Sequence, residues 1–156
     1  KNGFINFSIN YNFLKIICLD TVIEGSIEGK LTEKSLNWLE KELKKNLDKA
    51  TIIFMHHPPI KIGSVLFDDI MCKNGKVFLS LIKKYKNVSK IIFGHVHCKY
   101  TNILDNLYLT SCPSSSFQIP INAKTTENLI FDKRSYIQLF NWKNNKNLFN
   151  EIVEIK

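Results

Sequence analysis

Two short apolar runs, each ending directly in histidine, constrain this chain more than any other feature. Ile52-Ile53-Phe54-Met55 leads into His56-His57-Pro58-Pro59, and Ile91-Ile92-Phe93 leads through Gly94 into His95-Val96-His97. Short β-branched and aromatic runs bounded by Gly or Pro read as buried strands. The chain has four histidines, and all of them lie at the ends of these two runs. In an open α/β sheet the strand ends face the crevice where ligands bind. Imidazole is the commonest metal-ligating side chain and suits Zn, Mn and Fe. The pattern therefore predicts a metal site built across two neighbouring strand ends. The plainer alternative is a set of hydrogen-bonded loop histidines.

The stretches around these runs predict alternating strands and helices. Phe4 to Asn12 reads as a strand turning into the next, and Leu14 to Leu19 as a buried strand closed by Asp20-Thr21. Thr32 is a suitable N-cap, with Glu33 placed where a negative charge suits the helix dipole. Leu36, Leu39, Leu43 and Leu47, broadened by Trp38, set a helical stripe, so a helix is expected over roughly 33–46. Pro58 stops the strand of 51–55 from continuing. A long loop over 60–74 leads to a second helix over 75–85, with Val77, Phe78, Leu81, Ile82 and Tyr85 expected inside. The strand of 90–93 follows, which gives consecutive βαβ units. Beyond His97 the texture changes to two hairpins, 100–112 around Asp105-Asn106 and 135–155 around residues 143–147.

Composition bounds the function classes. The chain has 156 residues, 44% hydrophobic and 23% charged, which suits one globular domain with a real core. The formal net charge is +8, but Arg134 is the only arginine and the lysines are scattered, so a specific nucleic-acid surface is not expected. Lys83, Lys84 and Lys86 read as a solvated helix end. Cys18, Cys72, Cys98 and Cys112 form no CxxC pair, which argues against a zinc ribbon or a redox motif. They read as buried free thiols in a reducing compartment, and a cytoplasmic location follows as an expectation. No membrane span is visible, and no membrane partner is expected.

The two histidine motifs also carry a resemblance. His56-His57-Pro58-Pro59 and Gly94-His95-Val96-His97, in that order and with a βαβ between them, resemble the C-terminal half of the calcineurin-like metallophosphoesterases. The likeness is greatest to the bacterial class III cyclic-nucleotide phosphodiesterases (CpdA/Icc-like) and their glycerophosphodiesterase relatives. Leu19-Asp20-Thr21, the segment from Leu36 to Leu39, Asn74-Gly75 and Ser111 to Phe117 support it. The resemblance implies part of a four-layer αββα sandwich, with βαβ units followed by mostly antiparallel strands. It implies a single, incomplete phosphoesterase domain over 1–156. It also implies two divalent ions in the complete site, Mn, Fe or Zn, which activate a hydroxide to cleave phosphodiesters such as 3′,5′-cyclic nucleotides.

Carried over by position, His56 and His95 resemble ligands of one metal and His97 resembles a ligand of the other. His57 resembles a residue behind the ligands rather than a ligand, although its order with His56 could be exchanged. The family's Asp-x-His, Gly-Asp-x-x-Asp and Gly-Asn-His motifs are absent from this chain. Three neutral imidazoles cannot offset the repulsion of two adjacent dications without a bridging carboxylate. A single ion held by two or three histidines remains feasible. The resemblance thus leaves two routes to a working site, a missing N-terminal half or a homo-oligomer. It also leaves an alternative: a truncated, non-catalytic remnant or a metal-binding partner module. Cys98 as a ligand, Asp68, Asp69 and Lys61 near substrate, and Ser114 to Ser116 as a substrate-side loop are weaker candidates.

Overall fold

The computed structural model describes residues 5–125, 132–143 and 147–156. Ten elements follow one another: β1 (Phe7–Asn10), β2 (Leu14–Leu19), α1 (Glu33–Lys44), β3 (Ala50–Met55), α2 (Gly75–Ile82), β4 (Val88–Phe93), β5 (Tyr100–Leu104), β6 (Leu107–Ser111), β7 (Ser135–Lys143) and β8 (Asn147–Ile155). Six strands form one sheet in the order β1-β2-β3-β4-β6-β5. Its four middle strands are parallel, and antiparallel β1 and β5 close the two edges.

Strand alternation divides the sheet's side chains between two layers. On one face Ile17, Leu19, Ile53, Met55, Ile91, Phe93 and Leu109 pack with Leu39 and Leu43 of α1 and with Phe78, Leu79 and Ile82 of α2. On the other face Leu14, Ile52 and Ile92, with Ile16 and Phe54, pack against Phe140 and Trp142 of the β7–β8 ribbon. The expected α/β class is what forms: helices, a mixed sheet and a second, two-stranded ribbon. The turn of that ribbon lies partly outside the described residues.

Several local expectations shift. Thr32 does cap α1, its hydroxyl accepting from the Ser35 N–H at 3.0 Å. The helix ends at Lys44 because Lys45 is extended and Asn46 takes a positive φ of 57°. Leu47 consequently falls off the apolar stripe and is exposed. α2 stops at Ile82, since the Lys84 and Tyr85 N–H groups bond three residues back, to Leu81 and Ile82, and tighten the exit. Val77 faces solvent instead of the core. Of the four free cysteines only Cys72 is fully buried; Cys18, Cys98 and Cys112 are half-buried.

Lys15 is a polar residue the core takes in completely. Its Nζ donates to the Glu42 carbonyl at 2.6 Å and to Glu42 Oε2 at 2.8 Å. Ser8 also donates to Glu42 Oε2, at 2.9 Å, and Lys45 donates to Oε1, at 2.6 Å. This network joins β1, β2 and α1 across the buried face.

Candidate metal centre

β3 and β4 are parallel neighbours in register, with Met55 opposite Phe93. Their C-terminal ends are therefore side by side, and the ladder continues one step further: the Gly94 N–H donates to the His56 carbonyl at 3.0 Å. That single pairing places His56 beside the Gly94-His95 turn. A Cβ at Gly94 would stand 3.3 Å from His56 Nδ1, tight enough that the imidazole would have to shift by a few tenths of an ångström.

The turn itself is tight. The Val96 N–H closes on the Gly94 carbonyl at 2.8 Å, with His95 at φ 71°. This is a γ-turn of the strained, positive-φ kind. His97 follows at φ 50°. Two non-glycine residues in left-handed conformations within three positions are a local cost that packed surroundings must sustain. Buried Val96 anchors the turn between them.

The geometry brings three histidines together: one nitrogen from each of His56, His57 and His95 lies within 4.8 Å of the others. Within the trio His56 Nε2 and His95 Nδ1 are 3.2 Å apart. Two ligand nitrogens about 2.0–2.1 Å from one tetrahedral ion lie about 3.3 Å from each other, so this spacing fits a shared metal. His95 Nε2 is buried and has no hydrogen-bond partner among the described residues. Among the described residues His95 Nδ1 faces His56, and the His95 ring lies against those of His56 and His57. The donor set is neutral, nitrogen-only and aimed inward, and it fits one divalent ion.

His97 lies outside that trio but close enough for its charge to act on His56 and His95. Its Nδ1 donates to the Phe117 carbonyl at 3.0 Å, and its ring packs on Phe117 at 4.5 Å between centroids. A backbone carbonyl on Nδ1–H leaves Nε2 with the lone pair, as is usual for histidines that bind metals. His57 is buried, and its Nδ1 lies 2.7 Å from Thr21 Oγ1. Burial first, then His57, His56 and His97, hold the His95 imidazole down to about 4. Burial and then His56 lower that of His57 as well, against a hydrogen bond to the Ile27 backbone. The cluster therefore keeps its lone pairs at neutral pH.

The weaker sequence candidates fall elsewhere. Asp68 ties its own loop, accepting from the Ile62 N–H at 2.7 Å and the Gly63 N–H at 3.2 Å. Asp69 and Lys61 are exposed. Ser114 serves its own turn, bonded to Gln118 and Ser116. Burial pushes the Cys98 thiol up, which keeps it a protonated, poor ligand. Phe117, which closes the Ser111 to Phe117 stretch, and Gly29 also touch the site, and local spacing assigns neither a role there. Their roles rest on backbone contacts between segments far apart in sequence, and only the paired strand-end motifs hint at them.

A mixed sheet with helices on one face and a two-stranded ribbon on the other, and with histidines gathered at two adjacent strand ends, defines a candidate metal-binding α/β protein. Comparison with known proteins makes this specific. No protein-family model matches the chain. It is 32% identical over 145 residues to a probable cyclic nucleotide phosphodiesterase of Coxiella burnetii, covering 93% of this chain and 55% of that protein. It is 34% identical over 125 residues to a probable glycerophosphodiester phosphodiesterase of Arcobacter nitrofigilis, covering 80% of this chain and 46% of that protein. A dimetal phosphatase from Danio rerio shares the fold with a TM-score of 0.62 at 13% identity, over 97% of this chain and 60% of its own. The chain is similar to metallophosphoesterases, with relatives named as cyclic nucleotide and glycerophosphodiester phosphodiesterases. It spans about half the length of the curated relatives it matches.

Proposed function

We propose that this chain is the histidine-bearing, C-terminal part of a divalent-metal phosphodiesterase, a single domain completed by polypeptide it does not itself contain. The observation that supports the reading best is the His56–His95 pair, whose Nε2 and Nδ1 lie 3.2 Å apart. His56 and His95 would hold one ion. His97, its Nδ1 engaged by Phe117, would present Nε2 to a second. His57 stands behind them.

A divalent ion in such a site supplies Lewis acidity and makes water a nucleophile at neutral pH. The chain's own residues orient and shield that site. The γ-turn at His95 and the glycine before it fix the directions of the imidazoles. Phe67, buried, packs edge-on to His95 at 5.6 Å and keeps water from that side. The neutral cluster holds no carboxylate, so carboxylate donors would come from further polypeptide or from a second copy of the chain. The substrates are phosphodiesters, with 3′,5′-cyclic nucleotides and glycerophosphodiesters as the classes named among the relatives. The metal is Mn, Fe or Zn, since imidazole accepts all three. A cytoplasmic location suits unpaired thiols. Among the described residues no helix is long and apolar enough to cross a membrane.

The test is Mn-dependent hydrolysis of bis(p-nitrophenyl) phosphate by the chain supplied with a polypeptide carrying an Asp-x-His, Gly-Asp-x-x-Asp and Gly-Asn-His series. Turnover that needs the added polypeptide, the metal and His97 supports the reading. Metal-independent turnover, or turnover unchanged in His97→Ala, overturns it.

A further inference from the structure

The three clustered histidines are not equivalent. His56 and His95 face each other, whereas His57 is engaged from behind by residues of the segment between β2 and α1. Thr21 is 1% exposed. Its Oγ1 lies 2.7 Å from His57 Nδ1 and 3.4 Å from the His57 backbone N–H. The amide N–H occupies one of the hydroxyl's two lone pairs, which leaves the hydroxyl proton and the other lone pair for Nδ1. With that proton given to Nδ1, the ring's own proton sits on Nε2. The backbone of Ile27 faces the same ring as an acceptor.

The ring also has no room to turn away. A Cβ on Gly29 would come within 2.3 Å of His57 Cγ and 2.4 Å of Nδ1. Gly29 is itself pinned: its N–H donates to the Met71 carbonyl at 3.2 Å, and its carbonyl accepts from the Lys73 N–H at 2.7 Å. The Cys72 N–H donates to the Pro58 carbonyl at 3.0 Å. The two loops that flank His57 are thereby knitted to one another. On the open side the His57 ring abuts His95, with centroids 4.6 Å apart, and His56, at 4.8 Å.

We propose that Thr21 is a positioning residue: its hydroxyl locks His57 in the Nε2–H tautomer, so that His57 is the wall that sets the His56–His95 spacing and not a metal ligand. This rests on the reading of His56 and His95 as the metal pair. Threonine is needed for its hydroxyl; serine keeps that group, while valine keeps only the shape. An outer partner of this kind typically changes metal affinity about 10-fold or more when removed.

The test is long-range 1H–15N NMR of the histidine rings in the 15N-labelled chain, metal-free and then titrated with Zn2+, for wild type, Thr21→Val and Thr21→Ser. In metal-free wild type, His57 shows an unprotonated Nδ1 and a protonated Nε2. On adding Zn2+ the His56 and His95 nitrogens shift and those of His57 keep their pattern. Thr21→Val mixes or reverses the His57 tautomer and weakens Zn2+ binding about 10-fold, and Thr21→Ser restores both. A protonated Nδ1 on His57, a His57 nitrogen that moves to a metal-bound shift, or a Thr21→Val chain with unchanged tautomer or unchanged affinity overturns the proposal. If Thr21→Val does not fold, the wild-type spectra decide alone. If Zn2+ moves no histidine, the metal reading fails, and the metal-free spectrum still tests the tautomer.

Discussion

Gly94 lies against His56: its N–H donates to the His56 carbonyl at 3.0 Å, and an added Cβ would stand 3.3 Å from the imidazole Nδ1. Gly94 is not among the positive-φ residues, so alanine there meets no backbone strain. Gly94→Ala should therefore change stability little, within about 1 kcal/mol. It should nonetheless weaken metal binding by displacing the His56 ring. Calorimetric titration with Zn2+ alongside a thermal melt separates the two effects.

Gly29 presents the opposite case. A Cβ there would overlap the His57 ring at 2.3 Å, and His57 is walled in by Thr21 and its own strand end. Gly29→Ala is expected to destabilise the chain by on the order of 2 kcal/mol, in the range for overpacking a core. Chemical denaturation of the two glycine variants should rank them clearly, with Gly29→Ala the less stable.

Lys15 and Glu42 form a buried pair, with Lys15 fully enclosed and Nζ to Oε2 at 2.8 Å. Lys15→Met leaves Glu42 with only Lys45 and Ser8. It should cost on the order of 3 kcal/mol, as removal of one partner from a buried pair does. Lys15→Met combined with Glu42→Leu should recover much of that loss, because no buried charge is then left, and Lys45, which loses Glu42, is solvent-exposed. Urea midpoints of the single and double variants measure the difference.

The same network sets an acid limit. Burial raises the Glu42 carboxyl, but hydrogen bonds from Lys15, Lys45 and Ser8 outweigh it and draw it down to about 2. The folded chain thus releases this proton more readily than the unfolded chain, whose carboxyl titrates near 4.5. Its stabilisation is complete above pH 4.5 and is lost as pH falls towards 2. His95 acts earlier and in the same sense. Its imidazole stays neutral to about pH 4 in the fold, against 6.5 when unfolded. Stability should therefore decline in two stages, between pH 6.5 and 4 and then below 4.5. In His95→Ala the first stage should shrink while the second remains.

Much of this fold could be read from local pattern. The strand Leu14–Leu19 has the bounds its apolar run implies, and Thr32 caps α1 as its position suggests. Where local pattern misled, longer-range geometry decided. Val77 fits the inner stripe of a helix on spacing alone, yet the short α2 turns it outward. Leu47 continues the heptad-like run, but Asn46 at φ 57° has already broken the helix. At the site, the clustering of His56 with His95 was legible because both sit at the ends of runs that pair as neighbouring parallel strands. The hydrogen bonds of Thr21 to His57 and of Phe117 to His97 span 36 and 20 residues, and no spacing rule connects such partners.

Metal binding by these strand-end histidines can be read from calorimetric titration of the chain with Zn2+. Saturable binding at one site is predicted, weakened at least about 10-fold by His56→Ala and by His95→Ala alike, in chains that melt as cooperatively as wild type. No saturable binding by wild type, or binding that both variants retain undiminished, would contradict it.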